Sequence, residues 1–206
     1  MAERCAFVLL AAGAATRMRQ AKQLLPVDGT PLVRRAAEAA LAVPLAPVVA
    51  VLGARAEEIQ PALGGLPVHV TVNERWPEGL GSSVAAGVRA ALAISPDLDA
   101  IVLGLADQPG VTGAHLARLV AARRATGRSL VASLGGGPPQ PPALFAAPWF
   151  PRLLELRGDA GARSLLQENA AALAGVPLAD ARDLDTPEDY ARFLAEGGGP
   201  QRPNTA

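Results

Sequence analysis

Residues 5–12 (CAFVLLAA) are all apolar, and the run stops at Gly13. An unbroken apolar run of this length, without polar alternation, predicts a strand buried on both faces, as in the middle of a parallel sheet. The chain then turns to small residues and three cations, Arg17, Arg19 and Lys22. Backbone N–H groups of a Gly/Ala/Thr loop at the end of a strand can converge on an anion, and such cations suit phosphate. A solvated basic turn has the same composition, so both readings stay open at this point. A signal peptide is disfavoured, because Glu3 lies in the would-be basic leader and Arg17 and Arg19 follow the apolar stretch at once.

Further along, apolar strand candidates alternate with helix candidates. Residues 31–42 read as a helix, with Thr30 as its cap and Pro31 in its first turn. Strands are expected at 47–52, 68–72, 99–106 and 129–133, with short ones at 142–145 and 176–179. Helices are expected at 54–63, 112–124, 149–156 and 162–173. His69 reads as a packed or edge side chain, and His115 as a surface residue. The Gly/Pro-rich stretch 134–142 reads as a mobile loop beside a site. Thr186-Pro187-Glu188-Asp189 is a strong helix start for residues up to 195. This βαβ alternation predicts an α/β fold with a mostly parallel sheet and helices on both faces. A single domain over 1–196 is expected, followed by a disordered Gly/Pro tail at 197–206.

Composition narrows the classes of function. Nineteen Lys and Arg balance nineteen Asp and Glu among 206 residues, which argues against a protein built for a long nucleic-acid polymer. The single cysteine, Cys5, lies in the apolar run and has no internal partner, consistent with a reducing, cytoplasmic setting. No apolar stretch reaches the roughly twenty residues of a membrane span, so no membrane partner is expected.

Two carboxylates stand out by position. Asp107 ends the strand 99–106, where open α/β sheets bind ligands, and Asp185 precedes the last helix. Either can cap a turn; together, facing a crevice, they offer hard oxygens to Mg²⁺, an ion completed by waters and substrate phosphates. Ser82 and Ser83 follow the glycine turn PEGLG, and either cap the next helix or meet the polar edges of a ligand. Phosphoryl or nucleotidyl transfer needs alignment and charge stabilisation rather than a covalent nucleophile. No G-x-S-x-G elbow is present, and neither histidine is expected to have a catalytic partner. The first turn reads Ala11-Ala12-Gly13-Ala14-Ala15-Thr16, which lacks the glycines of a dinucleotide fingerprint and the Lys of a P-loop.

The segments LAAGAATRMRQAKQLLPVDGTPLV, NERWPEGLGSSVAAGV, LGLADQPGVT, PALF, LRGDAGARSLL and DLDTPEDY, in this order, resemble the MobA-like nucleotidyltransferases. The branch they are most similar to includes molybdenum cofactor cytidylyltransferase. The resemblance implies a Rossmann-like three-layer α/β/α fold and Mg²⁺-dependent transfer of CMP from CTP, or of a nucleotide from another NTP, to a molybdopterin-type acceptor. It also implies a molybdoenzyme or its chaperone as a macromolecular partner. By matching position it implies that Leu10, Ala11, Ala12 and Gly13 hold base and sugar, and that Arg17 and Lys22 bind the triphosphate. Gly81, Ser82 and Ser83 lie where the base is read, and Asp107 and Asp185 match the metal-binding aspartates. Arg17, Lys22 and Asp107 are the catalytic candidates. Three positions depart from the family pattern: Arg19 for glycine in the phosphate loop, Ala21 for a frequent proline, and Gln140 for glycine before the PALF segment.

Overall fold

The computed structural model describes residues 3–18, 20–159 and 161–197. Arg19 and the tail from 198 onward lie outside the described residues. Nine strands form along the chain: β1 (Cys5–Ala11), β2 (Pro26–Val27), β3 (Thr30–Pro31), β4 (Val48–Leu52), β5 (His69–Val72), β6 (Ala100–Leu105), β7 (Leu130–Leu134), β8 (Gln140–Ala146) and β9 (Ala174–Pro177). The helices are α1 (Leu32–Leu41), α2 (Ala56–Ile59), α3 (Leu80–Ile94), α4 (Gly113–Thr126), α5 (Phe150–Glu155), α6 (Ala162–Glu168) and α7 (Pro187–Ala195). Seven strands make one sheet in the order β5-β4-β1-β6-β8-β7-β9, and only β8 runs against the others. The result is a Rossmann-like three-layer α/β/α arrangement with a mostly parallel sheet.

β1 is buried at all seven positions, so each of its faces feeds a core. Cys5, Phe7, Leu9 and Ala11 pack with Val33, Ala37 and Ala40 of α1 and with Leu116 and Leu119 of α4. Ala6, Val8 and Leu10 point the other way, onto Val84, Val88 and Ala91 of α3 and onto Leu153 of α5. A third, smaller cluster joins distant segments. Met18, Leu25, Val27 and Leu32 from the early chain bury themselves against Leu184 and Phe193 from the end. Since Met18 follows Arg17 and Leu184 precedes Asp185, this cluster brings those two charges to the same place. Among the described residues, no helix is long and apolar enough to cross a membrane.

Several sequence expectations need correction. Thr30 does not cap α1: it pairs in the ribbon β2–β3, and Pro31 stands at the cap without a side-chain hydrogen bond. The helix expected at 54–63 is one α-turn, Ala56–Ile59, continued as a 3₁₀ turn over Gln60–Leu63. The helix expected at 162–173 stops at Glu168, and the last strand begins at Ala174. His115 is 1% exposed rather than a surface residue. The Gly/Pro stretch loses part of its length to β8, which is seven residues long and carries Pro141 and Pro142. Proline is tolerated where a ladder is already broken. The β7–β8 register shifts between Ala132 and Ser133, and the Ser133 hydroxyl donates to the Pro142 carbonyl at 2.6 Å. His69 lies exposed on the edge strand β5, as expected.

Candidate active site

β1 and β6 end side by side, Leu10 opposite Leu105, at the point where the strand order departs in both directions from β1. Ligands of open α/β sheets gather outside the carboxyl ends of strands at such a point. A cavity of about 430 Å³ opens there. Leu10, Ala11, Ala12 and Gly13 form one wall, Lys22 and Asp107 the polar end, and Ser83 part of the wall facing β1.

Lys22 is the centre of the site. Its ammonium donates to the Asp107 carboxylate and, at 2.7 Å, to Asp185 Oδ1. Arg17 Nη2 reaches the other Asp185 oxygen at 3.0 Å. Four of the site residues expected from the sequence, separated by up to 168 positions in the chain, therefore meet in one cluster. Burial alone would lower the Lys22 pKa, but the charges and hydrogen bonds of Asp107 and Asp185 outweigh it and raise it above the ordinary lysine value. The Lys22 hydrogen bond likewise holds the Asp185 carboxyl below the usual carboxylate range. Both shifts favour the charged forms, a protonated Lys22 and an ionised Asp185. Gln23, the next residue, is buried and donates to the carbonyls of Ala11 (3.0 Å) and Gly13 (2.8 Å), pinning the turn that leaves β1.

The second half of the site comes from the glycine turn before α3. Gly79 stands at the cap with φ +104°, a conformation that favours glycine. Neither serine caps the helix. Ser82 is turned inward, donating to the carbonyls of Arg75 (2.8 Å) and Gly79 (2.9 Å) and accepting from Asn73 at 2.9 Å. Ser83 accepts from the same Asn73 amide at 3.0 Å and lines the cavity. Gly81 donates its N–H to the Gly158 carbonyl at 2.9 Å, and a side chain there would collide with the Arg157 backbone. Gly81 and Ser82 thus build the wall, and Ser83 faces the space.

Asp107 Oδ1 is buried without a hydrogen-bond partner among the described residues. An unpartnered carboxyl oxygen beside a second acidic side chain suits a hard cation. Among the described residues, no group of three or more His, Cys, Asp or Glu side chains is placed to hold a metal. Two carboxylates completed by phosphates match the habit of Mg²⁺, so the donor set fits this ion.

A MobA-like NTP transferase domain matches residues 7–173. The chain belongs to this family. It is 35% identical to the purine catabolism protein PucB of Bacillus subtilis over 196 residues, 89% of this chain and 92% of that one. It is 34% identical to nicotine blue oxidoreductase of Paenarthrobacter nicotinovorans over 197 residues, covering 91% and 95%. Among solved structures, Rv0371c of Mycobacterium tuberculosis in complex with manganese superposes with a TM-score of 0.77 at 28% identity, covering 93% of this chain and 98% of that one.

On this MobA-like framework, other polar residues meet the site that the sequence reading passed over. Gln23, Trp76 and Asp159 line the cavity. Gln108 is buried and donates to Asp183 Oδ1 at 2.9 Å, while Leu184 N–H donates to the Asp107 carbonyl at 3.0 Å. These two bonds tie the segment carrying Asp185 to the end of β6. Burial and the nearby Asp107 charge push the Asp183 carboxyl upward. The acid pair Asp183-Leu184-Asp185 was visible as a pattern; which acid faces the cluster depends on where Leu184 is buried.

Proposed function

We propose that this protein transfers CMP from CTP to the phosphate of a molybdopterin-type acceptor, releasing pyrophosphate, with Mg²⁺ as its ion. The observation that carries the reading is the Lys22 ammonium gripping Asp107 and Asp185 at the mouth of a cavity walled by the turn after β1. Asp107 and Asp185 would hold the ion, which when bound stabilises charge on the triphosphate. Arg17 and Lys22 supply cations to the same phosphates, and Gln23 keeps the Ala11–Gly13 carbonyls turned so that the loop stays shaped. An oxygen of the acceptor phosphate bonds to the α-phosphorus while the bond to the bridging oxygen breaks, and pyrophosphate departs with the electron pair. A phosphate dianion has no proton to lose from that oxygen, so this chemistry asks for no general base. Lys22, held protonated, and Asp185, held ionised by its cations, suit charge stabilisation rather than proton abstraction. This favours a phosphorylated acceptor over an alcohol. The manganese complex of Rv0371c supports a divalent ion in this framework.

The test mixes the protein with each NTP, Mg²⁺ and molybdenum cofactor, and follows pyrophosphate. CTP-dependent release is expected, abolished in Asp107→Ala. Equal release from all four nucleotides rejects the cytidylyl assignment and leaves a transferase of different nucleotide or acceptor. No release, with nucleotide-dependent thermal stabilisation intact, points to a nucleotide-binding protein without turnover. A second reading rests on the relative named nicotine blue oxidoreductase: oxidation of NADH or NADPH by a dye acceptor, undiminished in Asp107→Ala, would support it.

A further inference from the structure

Resting on the transferase reading, we propose that Arg163 binds the phosphate of the acceptor, with the body of the acceptor in a second cavity beyond it. Arg17 and Lys22 reach the carboxylates from the early loop. Arg163, in the first turn of α6, stands instead against their neighbour Asp183: its Nη2 lies 3.8 Å from Asp183 Oδ2 and 3.3 Å from the Gln140 side-chain oxygen. Both separations are long for a guanidinium, whose charge-assisted bonds run about 2.7–2.9 Å. Asp183 already accepts from Gln108 through its other oxygen, so it does not take Arg163 as a two-pronged partner.

The neighbouring arginines are committed elsewhere. Arg157 donates to the carbonyls of Leu154 and Leu156, Arg182 is paired with Asp180 and Glu196, and Arg75 with Glu78. Arg163 keeps about half of its side chain exposed, at 49%, with its planar donor fork loosely engaged. That fork matches two phosphate oxygens, which an ammonium does not.

Electrostatics calls for such a group. A phosphate nucleophile must approach a triphosphate already flanked by Asp107 and Asp185, and like charges repel strongly at that range. Arg17 and Lys22 stand on the triphosphate side. Arg163 puts a cation on the approach side. Gln140, which touches Arg163, also lines a cavity of about 460 Å³ between the Gly135–Gly137 loop and residues 179–182, a volume in the range that small-molecule sites occupy. The acceptor's phosphate would sit at Arg163 and its body beyond Gln140, which positions the guanidinium.

Two measurements test this. The first titrates inorganic phosphate into protein saturated with Mg²⁺ and a CTP analogue carrying a methylene between its α- and β-phosphorus, so that the triphosphate site is filled. Wild type is expected to bind phosphate, Arg163→Gln at least tenfold more weakly, and Arg163→Lys in between. Equal affinity in wild type and Arg163→Gln, or no binding by folded wild type, overturns the proposal. The second reads kinetics with molybdenum cofactor: Arg163→Gln should raise the acceptor KM at least tenfold with the CTP KM within twofold. A matched rise in both KM values overturns it. Phosphate binding that depends on Arg163, in a protein that releases pyrophosphate from no NTP, removes the transferase reading and leaves the anion subsite standing.

Discussion

Lys22 sets one positive charge against two carboxylates, with its side chain 15% and that of Asp107 14% exposed. Replacing it by Met keeps the length of the stem, leaves Asp107 without its cation and leaves Asp185 with Arg17 alone. Breaking a buried pair from one side costs about 3 kcal/mol or more, and Lys22→Met should lose that much in urea unfolding at pH 7. The lowered Asp185 pKa gives stability that is present above the ordinary carboxylate range and lost as pH falls through the lowered value. The gap between wild type and variant should therefore close in acid. His115 works with the opposite sign of charge but the same direction of pH. Ser133 gives its proton to Pro142, so His115 Nε2 donates to Ser133 Oγ at 2.7 Å and Nδ1 accepts from Arg118 at 3.1 Å. Buried in this neutral form, its pKa is pushed down to about 4. Unfolded His115 takes a proton near pH 6.5 and the folded one does not, so stability falls as pH drops from there to about 4, by roughly 3 kcal/mol in all. Urea titrations of wild type and His115→Gln at pH 7 and pH 5 should show this slope flattened in the variant.

The elements divide by how local their causes are. α7 was legible because its start is written in four adjacent residues: Thr186 accepts from the Asp189 N–H, and Asp189 accepts from the Thr186 N–H. Thr186→Ala should cost about 1 kcal/mol, read as a lower denaturation midpoint at unchanged slope. β1 and β6 were legible because both faces of a central strand need apolar residues. β8 was legible only as the short strand expected at 142–145: its first residues, Gln140 and Pro141, read as the end of the Gly/Pro loop, and the hydroxyl that repairs the ladder comes from Ser133 on another strand. His115 was misplaced for the same reason, since the hydrogen-bond partner that makes its burial tolerable lies on β7. Of the cluster, Asp107 at its strand end and Arg17 and Lys22 after Gly13 could be singled out from position alone. The inward turn of Ser82 was not, because Asn73, Arg75 and Gly79 settle it in space. α3 adds a prediction of its own. It rests on β1 and β4 at Gly87, where an added Cβ would come within 2.3 Å of Val8 and 2.7 Å of Val51. Gly87→Ala should therefore destabilise by about 1–3 kcal/mol despite the better helix propensity of alanine.

Across the whole molecule, the sheet supplies Asp107 and the cavity wall, and the small core of Met18, Leu184 and Phe193 brings the two ends of the chain that carry Arg17 and Asp185 to them. Phe193 is 1% exposed and sits on α7, while the residues it helps to anchor flank Arg17 and Asp185. Loss of its ring should therefore loosen ligand binding as well as the fold. A nucleotide that binds only the native state at a hundred times its Kd stabilises by about 2.7 kcal/mol. For a chain of this size that raises the melting temperature by about 5–10 °C. With CTP and Mg²⁺ present, wild type should show such a rise. Phe193→Ala and Leu119→Ala both empty fully buried sites, at costs of about 3–5 and 2–5 kcal/mol. Leu119 belongs to the core under α4, away from the cluster that joins Arg17 to Asp185. If the small core couples the two ends of the chain into one site, the nucleotide-linked rise survives in Leu119→Ala and falls below half in Phe193→Ala. Equal rises in the two variants would mean that the sheet alone holds the site together.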